Sequence, residues 1–216
     1  TMSENLSLIL LAISPAIILI TYIYLVDKQQ REPLPQILKG FLFGIISAFL
    51  AVPAAMFFAD VNFYTDIYTN VVEACRTAFF GAALPEEAAK LFMLWLLVRK
   101  NKYFDERIDG IVYAACVSMG FAAFENIGYL FMNTENFLRV GIVRAIFAVP
   151  GHLCFGIMMG YYYSLVKFYP NSKRHSTNRL MVLLVPILLH GLYDTMLFSV
   201  GTLPPVLILV VFVTFL

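Results

Sequence analysis

Charge is what this sequence has least of. Only 13% of its 216 residues are Asp, Glu, Lys or Arg, against 61% hydrophobic, and the mean hydropathy is +0.81. Soluble domains carry about 25% charged and about 45–50% apolar residues, so this composition belongs to a polytopic membrane protein. The chain also lacks a basic tract, and its net charge is +1, which excludes nucleic acid as a partner held by phosphate neutralisation. Cysteine is scarce. Cys75, Cys116 and Cys154 stand in apolar segments with no CxxC pair and read as small core residues. No repeat, low-complexity tract or linker divides the chain, so one membrane domain is expected over residues 1–216. A cleavable signal peptide is not expected, because 6–26 lacks a basic start and runs through aromatics instead of ending at a small-residue cleavage site.

Long apolar runs fill the space. Seven segments, 6–26, 37–59, 71–98, 111–133, 140–168, 180–199 and 204–216, reach or approach the roughly 20 residues a helix needs to cross a bilayer. The expected fold is all-α, a polytopic bundle of about seven transmembrane helices. The third and fifth are long enough to tilt or protrude, and Pro53, Pro85, Pro150 and Pro186 fall inside spans. Three connecting segments, "DKQQREPLPQILK", "RKNKYFDER" and "KFYPNSKRHSTNR", hold eleven of the fifteen Lys and Arg, while the intervening ones hold only Arg139. That alternation predicts basic loops in the cytoplasm and the N-terminus outside.

The few charges inside spans are therefore conspicuous, since one at the bilayer centre costs roughly 3 kcal/mol or more. "ALPEEAAKLFMLWLLV" carries Glu86, Glu87 and Lys90, and "GFAAFENIGYLF" carries Glu125 and Asn126. "VPGHLCFG" carries His152, and "LLHGLYDTML" carries His190 and Asp194. Counted from the basic loops at 1.5 Å per residue, Glu86, Glu125, His152, His190 and Asp194 lie roughly 16–24 Å from the inner boundary. Four helices thus deliver polar groups to one layer near the midplane. Glu86 and Lys90 share a face at i, i+4, as do His190 and Asp194, and Phe121 sets an aromatic wall beside Glu125. Gly120, Gly128, Gly151, Gly156, Gly160 and Gly191 are expected to let helices approach closely. Arg144 reads as an arginine at the outer boundary, Glu73 with Arg76 as an i, i+3 pair, and Asp105, Glu106 and Asp109 as a solvated loop.

More acids than bases, together with two imidazoles, exceed what helix–helix glue requires. Carboxylates can take a proton from water, and a histidine can orient that water or hold an oxyanion. Equally, His152, His190, Asp194 and Glu125 could bind zinc, leaving another glutamate as base. Spacing does not separate the two schemes. A serine protease has no GxSxG turn here, an aspartyl protease lacks its second midplane Asp, and Cys154 points away from His152. A proton-coupled transporter or channel could use the same cluster, but repeat symmetry is absent. A binding or structural membrane protein would tolerate Glu86→Gln, which an enzyme would not.

"EEAAK", "FAAFEN", "PGH" and "HGLYD", in that order, together with "DERIDGIVYAA", resemble the PrsW-type intramembrane proteases, distant relatives of CAAX prenyl endopeptidases and bacteriocin-immunity proteins. The resemblance covers nearly the whole chain. It implies a peptidase in the bacterial cell membrane making the first cut in a single-pass, membrane-anchored anti-sigma factor during envelope stress. By position it implies Glu86 as the water-activating base, Glu87 supporting Lys90, and His190 with Asp194 as the oxyanion site. Glu125, beside Asn126, stands where the wider group has histidine. Two close carboxylates share a proton or need a cation between them, and His152 would supply the missing imidazole from another helix.

Overall fold

The computed structural model describes residues 2–26, 30–64 and 69–199. They form helices α1 (Met2–Val26), α2 (Leu34–Asp60), α3 (Val71–Arg76), α4 (Leu84–Val98), α5 (Arg107–Met132), α6 (Phe137–Ile146), α7 (Ala148–Phe168) and α8 (His175–Phe198). No strand occurs among the described residues. Five helical stretches, Asn5–Val26, Leu34–Asp60, Arg107–Met132, Thr134–Phe168 and His175–Phe198, are long and apolar enough to cross a membrane. The run 71–98 is also of membrane length but is not regular. The expected count of seven is not reached among the described residues, and the span expected over 204–216 lies outside them.

The irregularity has a chemical cause. Between α3 and α4, Thr77–Ala83 forms a π-helical segment with helical dihedrals at both ends, so 71–98 is one continuous rod. Pro85 has no N–H, and its ring crowds the carbonyl four residues back. A wider π turn directly upstream relieves that conflict, and such turns recur at functional sites. Glu86 and Glu87 follow Pro85 directly, separated from the π segment by Leu84 and Pro85.

The second break falls inside the stretch expected as one span over 140–168, which remains one membrane-length run, Thr134–Phe168, in two helices. Phe147 (φ −117°, ψ −57°) separates α6 from α7. Pro150 and Gly151 lie within the first turn of α7, because a proline is tolerated there and the kink falls upstream of it.

Helix α5 forms the centre of the bundle. It buries residues on all sides and packs against α7, α2, α1 and α4. Contact is backbone to backbone at two crossings. A Cβ on Gly120 would lie 1.9 Å from the Phe41 carbonyl oxygen of α2, and one on Gly160 of α7 would lie 2.2 Å from that of Gly110. Gly156 and Gly191 also sit in close contacts, whereas Gly151 has room for a methyl group and Gly128 faces open space. Helix α1 packs on α5, α6 and α7, and α2 on α5, α4 and the π segment.

Loop acids prove structural. Asp109 is buried; its carboxylate accepts from Glu106 N (2.6 Å) and Asp105 N (2.9 Å), and Glu106 completes a capping box at the start of α5. The expected solvated loop holds for Asp105, while Asp109 is part of the fold. Glu73 takes the Thr69 N–H (2.7 Å) and hydroxyl at the start of α3. Glu32, before α2, is buried and accepts from the Tyr113 hydroxyl of α5.

Candidate active site

The eight polar residues singled out in the spans converge on one place. Helix α4 delivers Glu86, Glu87 and Lys90 in its first two turns. Helix α5 brings Glu125 and Asn126, α7 brings His152, and α8 brings His190 and Asp194.

Glu87 is fully buried and firmly held. Its Oε1 accepts from Lys90 Nζ (2.8 Å) and lies 2.8 Å from His190 Nδ1. Lys90, equally buried, also donates to His152 Nδ1 (3.1 Å) and sits 3.9 Å over the Phe121 ring. Because an ammonium only donates, His152 Nδ1 is the acceptor, and its Nε2–H points to Glu125 Oε2 at 2.9 Å. On His190, Nε2 faces Asp194 Oδ2 at 3.2 Å. Both nitrogens of that ring therefore meet carboxyl groups, an arrangement satisfied by an imidazolium, by a metal ion on one nitrogen, or by a proton on one of the carboxyls. Phe155 stacks on His190 with ring centroids 4.8 Å apart, which fixes the imidazole plane.

Glu86 contrasts with its neighbour. Its carboxylate lies 3.5 Å from Lys90 Nζ and 3.9 Å from His190 Nε2. It lines a cavity of about 280 Å³ bounded by α2, the π segment, α4 and α5, which it shares with Glu125 and Gly128. One glutamate is locked in the protein, and the next is loosely held beside open space.

Arg144 is the member of this cluster that the sequence did not reveal. It donates to Glu125 Oε2 from one NH₂ group and to Asn126 Oδ1 from Nε, both at 2.6 Å. Asn126 in turn donates to the Ala12 carbonyl of α1. The turn at Phe147 lets α6 lie against α5 and brings the guanidinium inward. The signal was the surplus of acid: four carboxylates faced a single recognised cation, and Glu125 called for another.

The donors suit a metal ion. One ligand atom each from Glu86, Glu87, His152 and His190 lies within 4.8 Å of the others. Two imidazoles and a carboxylate are a set zinc takes in hydrolases, and both Nε2 atoms are oriented by carboxylates in the manner of ligating histidines. Glu87 Oε2 is buried without a hydrogen-bond partner. Of the zinc ligands expected from sequence, His152 and His190 belong to this set, while Glu125 is tied to Arg144 and His152, and Asp194 to His190. Four carboxylates against Lys90 and Arg144 leave a surplus of negative charge that a divalent ion would offset.

Comparison with known proteins agrees with this chemistry. Residues 32–216 match the family described as "PrsW family intramembrane metalloprotease". The chain is 38% identical over 194 residues to Protease PrsW of Clostridioides difficile, covering 89% of this chain and 80% of that one. It is 38% identical over 193 residues to Protease PrsW of Geobacillus kaustophilus, with 89% and 80% covered. Against Protease PrsW of Bacillus subtilis it is 35% identical over 185 residues, with 86% and 80% covered. No solved structure matches the chain. A multi-pass helical bundle that gathers acids and histidines in one buried site thus carries the sequence of a peptidase family, and the chain belongs to the PrsW family of intramembrane metalloproteases.

Proposed function

We propose that the protein is a zinc-dependent endopeptidase of the bacterial cell membrane that makes the first cut in a single-pass anti-sigma factor. The observation that carries the catalytic part is the contrast between Glu87, held by two contacts of 2.8 Å, and Glu86, loosely held on a cavity wall. His152, His190 and Glu87 would hold the zinc ion, which when bound polarises the scissile carbonyl and acidifies water. Glu86 is the remaining carboxylate with room for water beside it, and it takes the proton as general base. Asp194 orients His190, and Glu125, clamped by Arg144, orients His152. The substrate's helix must unwind at the scissile bond, since a helical peptide hides its carbonyls. The anti-sigma-factor substrate rests on the motif resemblance. The outward N-terminus and cytoplasmic basic loops rest on the charge pattern.

A metal-free route has one observation in its favour: the Lys90 ammonium already sits among the same donors. The test is reconstitution in lipid with a single-pass anti-sigma-factor segment, comparing wild type, Glu86→Gln and chelated protein. Cleavage that is lost on chelation, restored by zinc and absent in Glu86→Gln is the expected result. Cleavage insensitive to chelation but absent in the variant would select the metal-free route. Full cleavage by Glu86→Gln would move the base elsewhere.

A further inference from the structure

A second cavity lies away from the catalytic cluster, at the end of the bundle that carries the basic loops. It is a cleft of about 770 Å³ between the second half of α4, the end of α7 and the start of α8, within the range of about 300–1,000 Å³ of small-molecule sites. Its floor is apolar, formed by Leu91, Phe92, Val182 and Leu183. Arg99, Lys167 and Arg179 line it as well, Lys167 also donating to the Phe104 carbonyl, and no Asp or Glu is among its described lining residues. Trp95 lines the cleft and lies under the Arg99 guanidinium, 4.7 Å from its ring centroid. His175 lines it too, and its Nδ1 is enclosed without a hydrogen-bond partner.

We infer that this cleft binds an anionic phospholipid, with the phosphate on Arg99, Lys167 and Arg179 and an acyl chain along the apolar floor. Charge complementarity argues for that occupant. Three cations lining one cleft exceed what a neutral headgroup or an apolar helix face can use, and the floor excludes a purely soluble anion. Basic pockets between helices at the interface of a membrane protein have this chemistry. The inference does not depend on the catalytic reading, since the two sites share no residue.

Trp95 is the only tryptophan in the chain, which makes the cleft readable by fluorescence. The full chain is reconstituted into phosphatidylcholine vesicles containing brominated phosphatidylglycerol. A second set contains unbrominated phosphatidylglycerol and the same mole fraction of brominated phosphatidylcholine, so surface charge is matched. Quenching should report about a fivefold or greater preference for the anionic lipid, the effect of roughly one interfacial cation. The double variant Arg99→Gln/Arg179→Gln should lose that preference. Lys100→Gln/Lys102→Gln, which removes equal charge outside the cleft, should keep it. Folding is followed by elution and circular dichroism, and Arg179→Gln alone serves if the double variant does not fold. Equal quenching by the two lipids in the wild type overturns the site. An equal loss in both double variants assigns the effect to diffuse surface charge. Reversal of the preference by inorganic phosphate shifts the ligand to a soluble anion.

Discussion

Two adjacent glutamates illustrate how far residue identity alone leads. "PEEAAK" announced a buried charge cluster, but the division between Glu86 and Glu87 depends on which carboxylate His190 reaches from another helix, and spacing within one helix does not contain that. The structure makes their substitutions separable. Glu86→Gln should leave thermal stability unchanged within about 0.5 kcal/mol while cutting cleavage by roughly 10²–10⁴-fold. Glu87→Gln should cost about 3 kcal/mol or more, because it removes the carboxylate that Lys90 and His190 share in the interior; melting in detergent and a cleavage assay read the two effects. Arg144 was illegible for a similar reason: its place at a span end hid the turn at Phe147 that carries it inward. Arg144→Met should destabilise the protein by about 3–5 kcal/mol, and adding Glu125→Gln should recover much of that loss, since the uncompensated charge goes with it. Melting temperatures of the four proteins of the cycle test this, and an additive outcome would mean the pair is not coupled.

Among the helices, existence was legible and irregularity was not. Apolar run length located α1, α2, α5 and α8 to within a few residues at most ends, and Pro85 was seen to fall inside the third run. A π segment, however, is one extra residue per turn, and hydropathy does not register it. Its role can be tested by removal. Deleting Ala82 should let 77–83 close into regular α-helix, removing the wide turn and drawing the two halves of the rod closer while leaving them nearly in phase. Helicity by circular dichroism should persist while cleavage is lost; an active deletion would show that the wide turn is not what aims Glu86. The crossing of α2 and α5 offers a second test. Gly120→Val has no space against the Phe41 carbonyl and should cost about 1–3 kcal/mol or more, visible as a lower melting temperature.

For the molecule as a whole, the charge alternation of the connecting segments gave a sidedness that labelling can check. Both Glu135 and Lys102 are exposed. Glu135→Cys should react with an impermeant maleimide on intact cells, and Lys102→Cys only after permeabilisation; the reverse pattern would invert the orientation. The convergence of four helices on one polar layer was also readable, because charges inside spans are too costly to be scattered without use. The central position of α5 was not, since nothing in a single helix says how many neighbours it will have. That position bears on how the chain is made. Synthesis proceeds from the N-terminus, yet α1 and α2 both find their main packing surface on α5, which emerges only after them. The first two helices to leave the ribosome therefore lack the neighbour that buries most of their packing faces: α2 meets α4 before α5 arrives, and α1 gains its main partner only with α5.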